Sequence, residues 1–342
     1  MRVGIIGTGA ISHKHAQAYR QIGFEIVACS AIDPARGRLF ADLYGCELFE
    51  RWQDVCHHPS VDFVDVCTFP DFRLDPVELC AITKKHVQLQ KPIATNLVDA
   101  RRIVEIAQSA GIVLGVVSQH RFDDASRFLK RAIGQGRLGK ILQADAYLKW
   151  YRPAEYYSRP VKGSWAAEGG GALINQGIHQ VDLLLWFAGP VRQLTAEWKL
   201  GAVHAIESED MVSALVNYAS GAIGVIQAST AFWPGYPERI EIHGTKGTAM
   251  ITGDQLTAWD VRDDEGDPPP LAAASASGAS DPMAISLVPF ERQFLDFAAA
   301  IREGRAPLVS GEQGYRALEV VDAVYRSCRE GYRIQLGDLS NE

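Results

Sequence analysis

Over the first 120 residues, short apolar runs alternate with amphipathic stretches. The apolar runs have the length of buried strands, and we predict strands at Val3–Ile6, Glu25–Cys29, Asp62–Cys67, Val87–Leu89 and Ile112–Val117. The stretches between them have helical spacing of apolar residues, which predicts helices at His13–Ile22, Pro34–Tyr44, Asp75–Lys84 and Leu97–Ala110. Strands that alternate with helices indicate βαβ units and a parallel sheet.

After Gln119 the pattern changes to consecutive β-like runs with few helices between them. We predict a helix at Asp124–Gly134, a strand at Ile141–Trp150 and a helix at Gly171–Phe187. Further strands are predicted at Gln193–Leu200, Asp210–Tyr218, Ala222–Thr230, Arg239–His243, Thr248–Thr252 and Leu256–Val261. Short turns between consecutive strands indicate an antiparallel sheet.

The last part of the chain returns to helical spacing, with helices predicted near Pro289–Glu303 and Gly311–Gly331. The segment Asp263–Pro282 is poor in large apolar residues, which predicts a surface loop. We therefore predict an α/β Rossmann domain with a parallel sheet over residues 1–120. An α+β domain with a large, mostly antiparallel open sheet is predicted over residues 121–342.

Composition narrows the class of protein. The 342 residues contain 34 Lys and Arg against 41 Asp and Glu, a formal charge of −7, and the basic residues do not cluster. This balance argues against a nucleic-acid partner and against a polybasic membrane anchor. No apolar run approaches the ~18 residues that span a bilayer, and no leader pattern opens the chain. We expect a cytoplasmic protein.

Cysteine and metal chemistry are not expected. The six cysteines form no CxxC pair and several lie in apolar runs, which is typical of reduced, buried thiols. Disulfides and metal ligation remain the alternatives for these thiols. No His, Cys and Asp cluster has the spacing of metal ligands, so no metal is predicted.

A glycine loop directly follows the first predicted strand and opens a helix: Gly7-Thr8-Gly9-Ala10-Ile11-Ser12. The first glycine permits a tight turn, the second lets the backbone approach a pyrophosphate, and the helix N–H groups attract that anion. Ser12 stands where the pattern usually has Gly or Ala. The position of the loop between strand and helix predicts dinucleotide binding rather than a plain turn.

The end of the second strand leaves the choice between NAD and NADP open. An acid at the end of this strand would bind the ribose 2′-hydroxyl of NAD. When the chain is aligned with the usual dinucleotide-binding pattern, Ala31 occupies the position of that acid. Asp33 is close by and can instead cap the helix that starts at Pro34. Ser30, with arginines nearby, could serve a 2′-phosphate.

Two side chains are candidates for proton transfer. Lys91 follows a strand at the carboxyl edge of the predicted parallel sheet, where ligands bind in open α/β folds. A cationic nicotinamide beside it would destabilise its ammonium; a solvated surface lysine is the alternative.

On a helix, Asn175, His179 and Asp182 share one face. An imidazole between an amide and a carboxylate is an oriented acid/base group, and a structural histidine is the alternative.

Together these motifs resemble a known family. The G-x-G start, Lys91-Pro92 and the pattern GGGAL-x5-H-x2-D from Gly169 to Asp182 are similar to the glucose–fructose oxidoreductase/inositol dehydrogenase/rhizopine-catabolism (Gfo/Idh/MocA) family of NAD(P)-dependent oxidoreductases. The resemblance covers essentially the whole chain, including Gly136–Ile141 and His243–Gly247. It implies hydride transfer between nicotinamide and a hydroxyl carbon of a sugar or polyol. It also implies a homodimer or homotetramer formed through the second-domain sheet.

The resemblance also implies roles for individual residues. Lys91 would lie near the reacting hydroxyl, His179 would be the acid/base, and Asp182 would orient it, with Asn175 on the same face. The residues implied to bind NAD or NADP are Gly7, Gly9, Ala10, Ile11, Ser30, Ala31, Thr68, Phe69, Pro70, Gln90, Lys91 and Gln119.

The chain departs from the family pattern at three positions. The family commonly has Glu at the position of Gln90, Asp at the position of Asn175 and His at the position of Arg73. Fewer carboxylates should lower the proton affinity of Lys91 and His179.

Aromatic residues and arginines near the glycine-rich helix suit a sugar ring with an acidic substituent, although each aromatic could equally pack a loop against the sheet. The candidate substrate residues are Arg121, Tyr151, Arg152, Tyr156, Trp165 and Gln176.

The sequence thus predicts an NAD(P)-dependent dehydrogenase that acts on a secondary hydroxyl carbon of a sugar, sugar acid or polyol. Two alternatives share the fold: a non-catalytic dinucleotide-binding sensor, and an enzyme that uses held NAD to cleave a glycoside without net redox change.

Overall fold

The computed structural model describes residues 1–159, 161–272 and 286–337. The chain forms two compact units. The first unit comprises residues 1–119 and 286–315, and the second comprises residues 120–285 and 316–342.

The first unit is built on a six-stranded parallel sheet with the strand order β3-β2-β1-β4-β5-β6. Its elements in chain order are β1 (Arg2–Ile6), α1 (Ala10–Gln21), β2 (Glu25–Ser30), α2 (Pro34–Tyr44), β3 (Glu47–Phe49), α3 (Trp52–His57), β4 (Phe63–Val66), α4 (Leu74–Ile82), β5 (His86–Leu89), α5 (Leu97–Ala110) and β6 (Leu114–Val116). This is the order of the doubly wound dinucleotide-binding fold, so the predicted Rossmann domain is confirmed.

Helices cover the strands on both faces, which explains their continuous apolar sequences. Val64 and Val66 of β4 and Val87 and Leu89 of β5 are fully buried. Asp65 and Gln88 are equally buried among them, and a polar group needs a partner at such a position.

The second unit contains an eight-stranded sheet with the order β13-β12-β11-β7-β10-β9-β8-β14. The remaining elements of the chain are α6 (Asp124–Gly134), β7 (Ile141–Lys149), α7 (Trp165–Glu168), α8 (Ile178–Ala188), β8 (Val191–Leu200), β9 (Glu209–Tyr218), β10 (Ile223–Ser229), β11 (Arg239–Gly244), β12 (Gly247–Thr252), β13 (Gln255–Val261), α9 (Val288–Glu303), α10 (Gly311–Glu330) and β14 (Ile334–Gln335). Helix α9 belongs to the first unit, α10 is shared between the two units, and the other elements belong to the second unit. Neighbouring strands are antiparallel except β7 and β10, which confirms the predicted sheet.

The two faces of this sheet differ. Along β9, Val212, Ala214 and Val216 are buried whereas Ser213 and Leu215 are exposed. Helix α8 packs against β7 on the covered side. Such alternation is typical of a sheet with one open face.

The division of the chain differs from the prediction of a continuous second domain over 121–342, because α9 packs in the first unit. The Gln293 amide donates to the Val116 carbonyl at 2.8 Å, and the Phe294 ring stacks on Tyr19 with centroids 4.2 Å apart. The amphipathic spacing of α9 predicts a helix but does not reveal which core receives its apolar face.

The helix predicted at Gly171–Phe187 also differs. Residues Leu173–Gly177 form a π-helical turn before α8 begins at Ile178. Asn175 therefore lies in the wider turn, and the α-helical spacing assumed between Asn175 and His179 does not apply. Turns of this kind are rare and are frequent at functional sites.

Part of the predicted surface loop can be located. The Arg137 guanidinium binds the Asp264 carboxylate through two bonds of 2.7 Å. Residues 273–282 of that loop lie outside the described residues. Within the described ranges, no helix is long and apolar enough to cross a membrane.

Candidate active site

The glycine loop of the first unit has the geometry of a phosphate cradle. Gly7 has φ +93°, and a Cβ there would lie 3.1 Å from the Cys67 carbonyl. Gly9 precedes α1 with open space around it. Ser12 is buried and its hydroxyl donates to the Gly9 carbonyl at 2.6 Å, so it fits the third position. The loop presents the N-terminus of α1, with Ala10 and Ile11 in its first turn, to an anion.

The end of β2 contains no free acid. Asp33 accepts hydrogen bonds from the Ala35 and Arg36 amides at 3.0 and 3.2 Å, so the expected helix cap is confirmed. Ser30 is buried and its carbonyl accepts from the Gly7 amide at 2.9 Å, whereas Ala31 is half-exposed. The residues implied to bind ribose thus lie beside the glycine loop.

Arg73 holds the loop that follows β4. It is buried, and its Nη2 donates to the carbonyls of Thr68, at 2.8 Å, and of Lys91, at 3.3 Å. Its Nε and Nη1 have no hydrogen-bond partner among the described residues. Burial lowers the pKa of this guanidinium to about 9. Phe69 is exposed and Pro70 buried within the same loop.

Lys91 follows β5, and both its backbone amide and its backbone carbonyl are hydrogen-bonded. The Lys91 amide donates to the Gln90 side-chain oxygen at 2.6 Å, and its carbonyl accepts from Arg73. Gln90 is buried. The structure therefore brings the predicted Thr68 loop, Gln90 and Lys91 together.

Gln119 ends the first unit just after β6. It is buried, and its side-chain oxygen has no partner within the described part of the chain. A buried acceptor without a partner is costly, so a ligand donor at this position would stabilise it. This fits the implied role of Gln119 next to a nicotinamide.

In the second unit, the glycine-rich segment before His179 is anchored by Glu209. The buried Glu209 carboxylate accepts from the amides of Gly171 and Leu173 and from the Tyr325 hydroxyl, each at 2.8 Å. A Cβ on Gly171 would collide with the Glu209 backbone, which explains the glycine. Sequence reasoning missed Glu209, because the contact joins residues 38 positions apart.

His179 lies against a second histidine that the sequence analysis did not select. The rings of His179 and His120 meet edge to face with centroids 5.2 Å apart. His120 Nδ1 lies 2.8 Å from the Asp123 carboxylate. Burial lowers the pKa of His120, but Asp123 outweighs it and the net pKa is raised. The position of His120 between Gln119 and Arg121 was the available signal.

Asp182 is paired with Arg121. The guanidinium and the carboxylate form two hydrogen bonds of 2.7 and 2.6 Å, and both side chains are buried. The structure thus joins a residue predicted for the substrate to one predicted to orient His179. Orientation of His179 by Asp182 stays a prediction. Asn175 donates to the Gly170 carbonyl at 3.1 Å.

Three of the predicted substrate residues form one cluster. The buried Arg152 guanidinium lies over the Trp150 ring at 4.6 Å and over Tyr156 at 5.7 Å. The Tyr156 hydroxyl accepts from the Gln176 amide at 2.9 Å, and the Gln176 oxygen has no partner among the described residues. Tyr151 meets Trp233 edge to face at 5.2 Å. This cluster combines aromatic faces with a cation.

Trp165 lies elsewhere. Its ring contacts Trp198 at 5.5 Å and Tyr325 at 5.2 Å, and the Arg329 guanidinium lies 5.0 Å above it. Packing accounts for these contacts, so the alternative given for the aromatics fits Trp165 better than a role in binding substrate.

Among the described residues, the fold assembles two groups of possible metal ligands: His15, Asp65 and Cys67, and Asp145, Glu241 and His243. In each group two residues lie two positions apart and the third is distant in sequence, so spacing along the chain did not reveal the group. Asp145 accepts from Gln143 and from the Val225 amide, both at 2.8 Å. That no metal is bound stays a prediction.

Comparisons with known proteins agree with this geometry. The family model described as "Oxidoreductase family, NAD-binding Rossmann fold" matches residues 1–118, and that described as "GFO/IDH/MocA C-terminal domain" matches residues 126–250. D-apiose dehydrogenase of Paraburkholderia graminis is 30% identical over 99% of this chain and 90% of its own length. Myo-inositol 2-dehydrogenase of Thermotoga maritima is 28% identical over 99% of each chain.

Among solved structures, the WlbA dehydrogenase of Bordetella pertussis, in complex with NADH and UDP-GlcNAcA, superposes with a TM-score of 0.89. It is 29% identical, and the match covers 98% of both chains. With the parallel sheet, the glycine loop and the anchored His179, these matches show that the chain belongs to the GFO/IDH/MocA family of oxidoreductases.

Proposed function

We propose that this protein is an NAD-dependent dehydrogenase that oxidises a secondary hydroxyl of a sugar-like substrate. The observation that carries the proposal is the surroundings of His179, which follows a glycine segment fixed by Glu209 and lies against the His120–Asp123 pair. A residue held in this way is suited to receive a proton. The related dehydrogenases of D-apiose and myo-inositol support the reaction class.

Each candidate side chain has one task in this reaction. The nicotinamide, when bound, accepts the hydride. His179 takes the hydroxyl proton, and Lys91 donates a hydrogen bond to the oxygen on which negative charge develops. Arg73 and Gln90 hold the Lys91 peptide.

We infer that NAD rather than NADP is used and that the substrate is a sugar acid. NADH in the related WlbA structure supports the first choice, and UDP-GlcNAcA in that structure supports the second. In this chain, Arg152 with Trp150 and Tyr156 offers a cation framed by aromatic faces, which suits a carboxylated sugar ring.

Two further expectations belong to this proposal. The six cysteines are all free thiols, which is typical of a reducing compartment and supports a cytoplasmic enzyme. The open face of the second-unit sheet exposes Leu215 and Ile223, which supports a homodimer or homotetramer formed through that face.

The test is identification of the bound cofactor by mass spectrometry, followed by a panel of polyols, sugars and sugar acids scored by absorbance of the reduced nicotinamide. We expect NAD and oxidation of at least one sugar acid. Bound nucleotide without turnover on any panel member would favour the sensor. A cleaved glycoside without net cofactor reduction would favour the glycoside-cleaving enzyme.

A further inference from the structure

A buried chain of hydrogen bonds lies behind Lys91 in the first unit. Asp65 of β4 accepts from His15 Nδ1 at 2.7 Å and from the Tyr19 hydroxyl at 3.0 Å. On the other side of the imidazole, His15 Nε2 lies 3.2 Å from the Gln90 side-chain nitrogen. His15, Tyr19 and Asp65 are fully buried and Gln90 is 5% exposed.

The direction of every bond in this chain follows from one backbone group. The Lys91 amide can only donate, so the Gln90 oxygen must be its acceptor at 2.6 Å. The Gln90 NH₂ group therefore faces His15, and Nε2 must accept from it. The imidazole proton then sits on Nδ1 and is donated to Asp65.

A carboxylate at position 90 would break this sequence of donors. When ionised, both of its oxygens accept, so neither could donate to Nε2 in place of the Gln90 NH₂ group. The same tautomer that satisfies Asp65 thus selects an amide at position 90. This is a physical reason for an amide rather than a carboxylate at position 90.

We infer that His15 and Asp65 are positioning residues: Asp65 holds His15 in its Nδ1–H form, and His15 orients Gln90, which fixes the Lys91 backbone. This inference rests on the proposed function for Lys91. Arg73 donates to the carbonyl of the same residue, so both the backbone amide and the backbone carbonyl of Lys91 are held.

Besides Asp65, the groups that face His15 are a thiol and two aromatic rings. Cys67 Sγ lies 3.5 Å from Nδ1 and its thiol is 3.6 Å from the second Asp65 oxygen. Burial raises the pKa of the Cys67 thiol well above its usual value. From α9, the Phe290 and Phe294 rings pack against the imidazole with centroids 5.4 and 5.1 Å away. Among these neighbours, Asp65 is therefore the charged group that contacts His15 directly.

The first test reads the tautomer by ¹⁵N NMR of the histidine-labelled protein, with cofactor absent. We expect His15 to be neutral with its proton on Nδ1. His86 provides an internal reference with the opposite form, because its Nδ1 accepts from the Val113 amide at 2.9 Å. A His15 proton on Nε2 in the wild-type protein would overturn the inference.

The second test moves the carboxylate from one side of His15 to the other. Gln90→Glu replaces the NH₂ group that donates to Nε2 with an oxygen that cannot donate when ionised, so the His15 ¹⁵N signals should change. The double variant Asp65→Asn with Gln90→Glu should give a neutral ring with its proton on Nε2, because the new amide donates to Nδ1. Gln108→Glu, at an exposed position on α5, is the matched control and should leave His15 unchanged. Unaltered His15 signals in Gln90→Glu would contradict the inference.

Turnover gives a separate readout on any substrate found active. The ratio of Gln90→Glu to wild-type turnover should change at least about fivefold between about pH 6 and about pH 9, since the variant carries an extra ionisation. In the double variant the ratio should be flat. The NMR result stands without a substrate, so failure of the dehydrogenase proposal and failure of this inference are distinguishable. If His15 shows the expected tautomers but the ratio of variant to wild-type turnover is independent of pH in both variants, the positioning role is contradicted.

Discussion

At the residue scale, the two proton-transfer candidates are held in different ways. Lys91 is fixed through its backbone by Gln90 and Arg73. His179 follows a segment bonded to Glu209 and lies against the ring of His120. Fixing a reacting group before the substrate arrives lowers the cost of reaching the reactive geometry.

Removing either side chain should reduce turnover. We expect Lys91→Ala and His179→Ala each to lower kcat by ~10²-fold or more, because each removes a group that acts on the hydroxyl proton or the developing oxyanion. Cofactor affinity, measured by fluorescence titration with NADH, should change little in His179→Ala. Wild-type kcat in both variants would refute the assignment.

The Arg121–Asp182 pair predicts a stability effect. Asp182→Ala leaves the buried Arg121 guanidinium without its carboxylate, which should lower the free energy of unfolding by about 3–5 kcal/mol. Replacing both partners, as Arg121→Met with Asp182→Leu, should recover most of this loss because no unpaired charge remains. Urea unfolding measures both, and equal losses in the single and double variants would contradict the account.

Sequence reasoning at this scale identified Lys91 and His179 because local motifs contain them. It missed His15, His120 and Glu209, whose roles depend on partners that the fold supplies. His15 meets Asp65 from 50 residues away, and neither residue has a motif around it that reveals the contact. The sequence likewise did not show the ring partners of Trp165, which come from β8 and α10; its role in binding substrate stays a prediction.

At the element scale, the π-helical turn and the glycines before it place His179. Gly170 has φ +148°, and Gly171 approaches the Glu209 backbone too closely for a side chain. The apolar spacing of this segment predicts a helix, but it does not distinguish a π turn from an α turn. Most strands were predictable from periodicity, whereas β3 is three residues long and only partly buried.

Glu209 predicts a pH dependence of stability. Burial raises the pKa of its carboxyl from 4.5 to about 7. The folded state therefore holds more protons than the unfolded state between these values, so the free energy of unfolding should fall as the pH rises through this interval.

Thermal or urea unfolding across that interval tests the effect. Glu209→Gln removes the titration and should give a shallower slope than the wild-type protein. Glu105→Gln, at an exposed position of α5, is the control and should keep the wild-type slope. Identical slopes in all three proteins would show that Glu209 ionises normally.

At the scale of the whole molecule, the open sheet face of the second unit predicts self-association. Leu215 is 49% exposed on this face, and a charge there should oppose burial against a second copy. Leu215→Arg should lower the mass measured by light scattering, whereas Leu43→Arg, on α2 with a 58% exposed side chain, should not. A monomeric wild-type protein would contradict the expected oligomer.

The parallel sheet and the mostly antiparallel sheet were predictable from βαβ units and consecutive β-runs. The position of β7 between β10 and β11 was not, because consecutive runs do not show where an earlier strand inserts. The return of α9 to the first unit was not, because its contacts with Tyr19 and Val116 are made across most of the chain. Amphipathic spacing establishes that a helix has an apolar face and leaves the identity of its partner open.

Hydride transfer from a sugar hydroxyl carbon to nicotinamide is tested most directly with a substrate from the panel that carries deuterium on that carbon. The reduced cofactor is then analysed by mass spectrometry. We predict reduced NAD that contains the deuterium, with formation slowed ~10²-fold in His179→Ala. Product formed with no deuterium in the cofactor, or at the same rate in that variant, would contradict it.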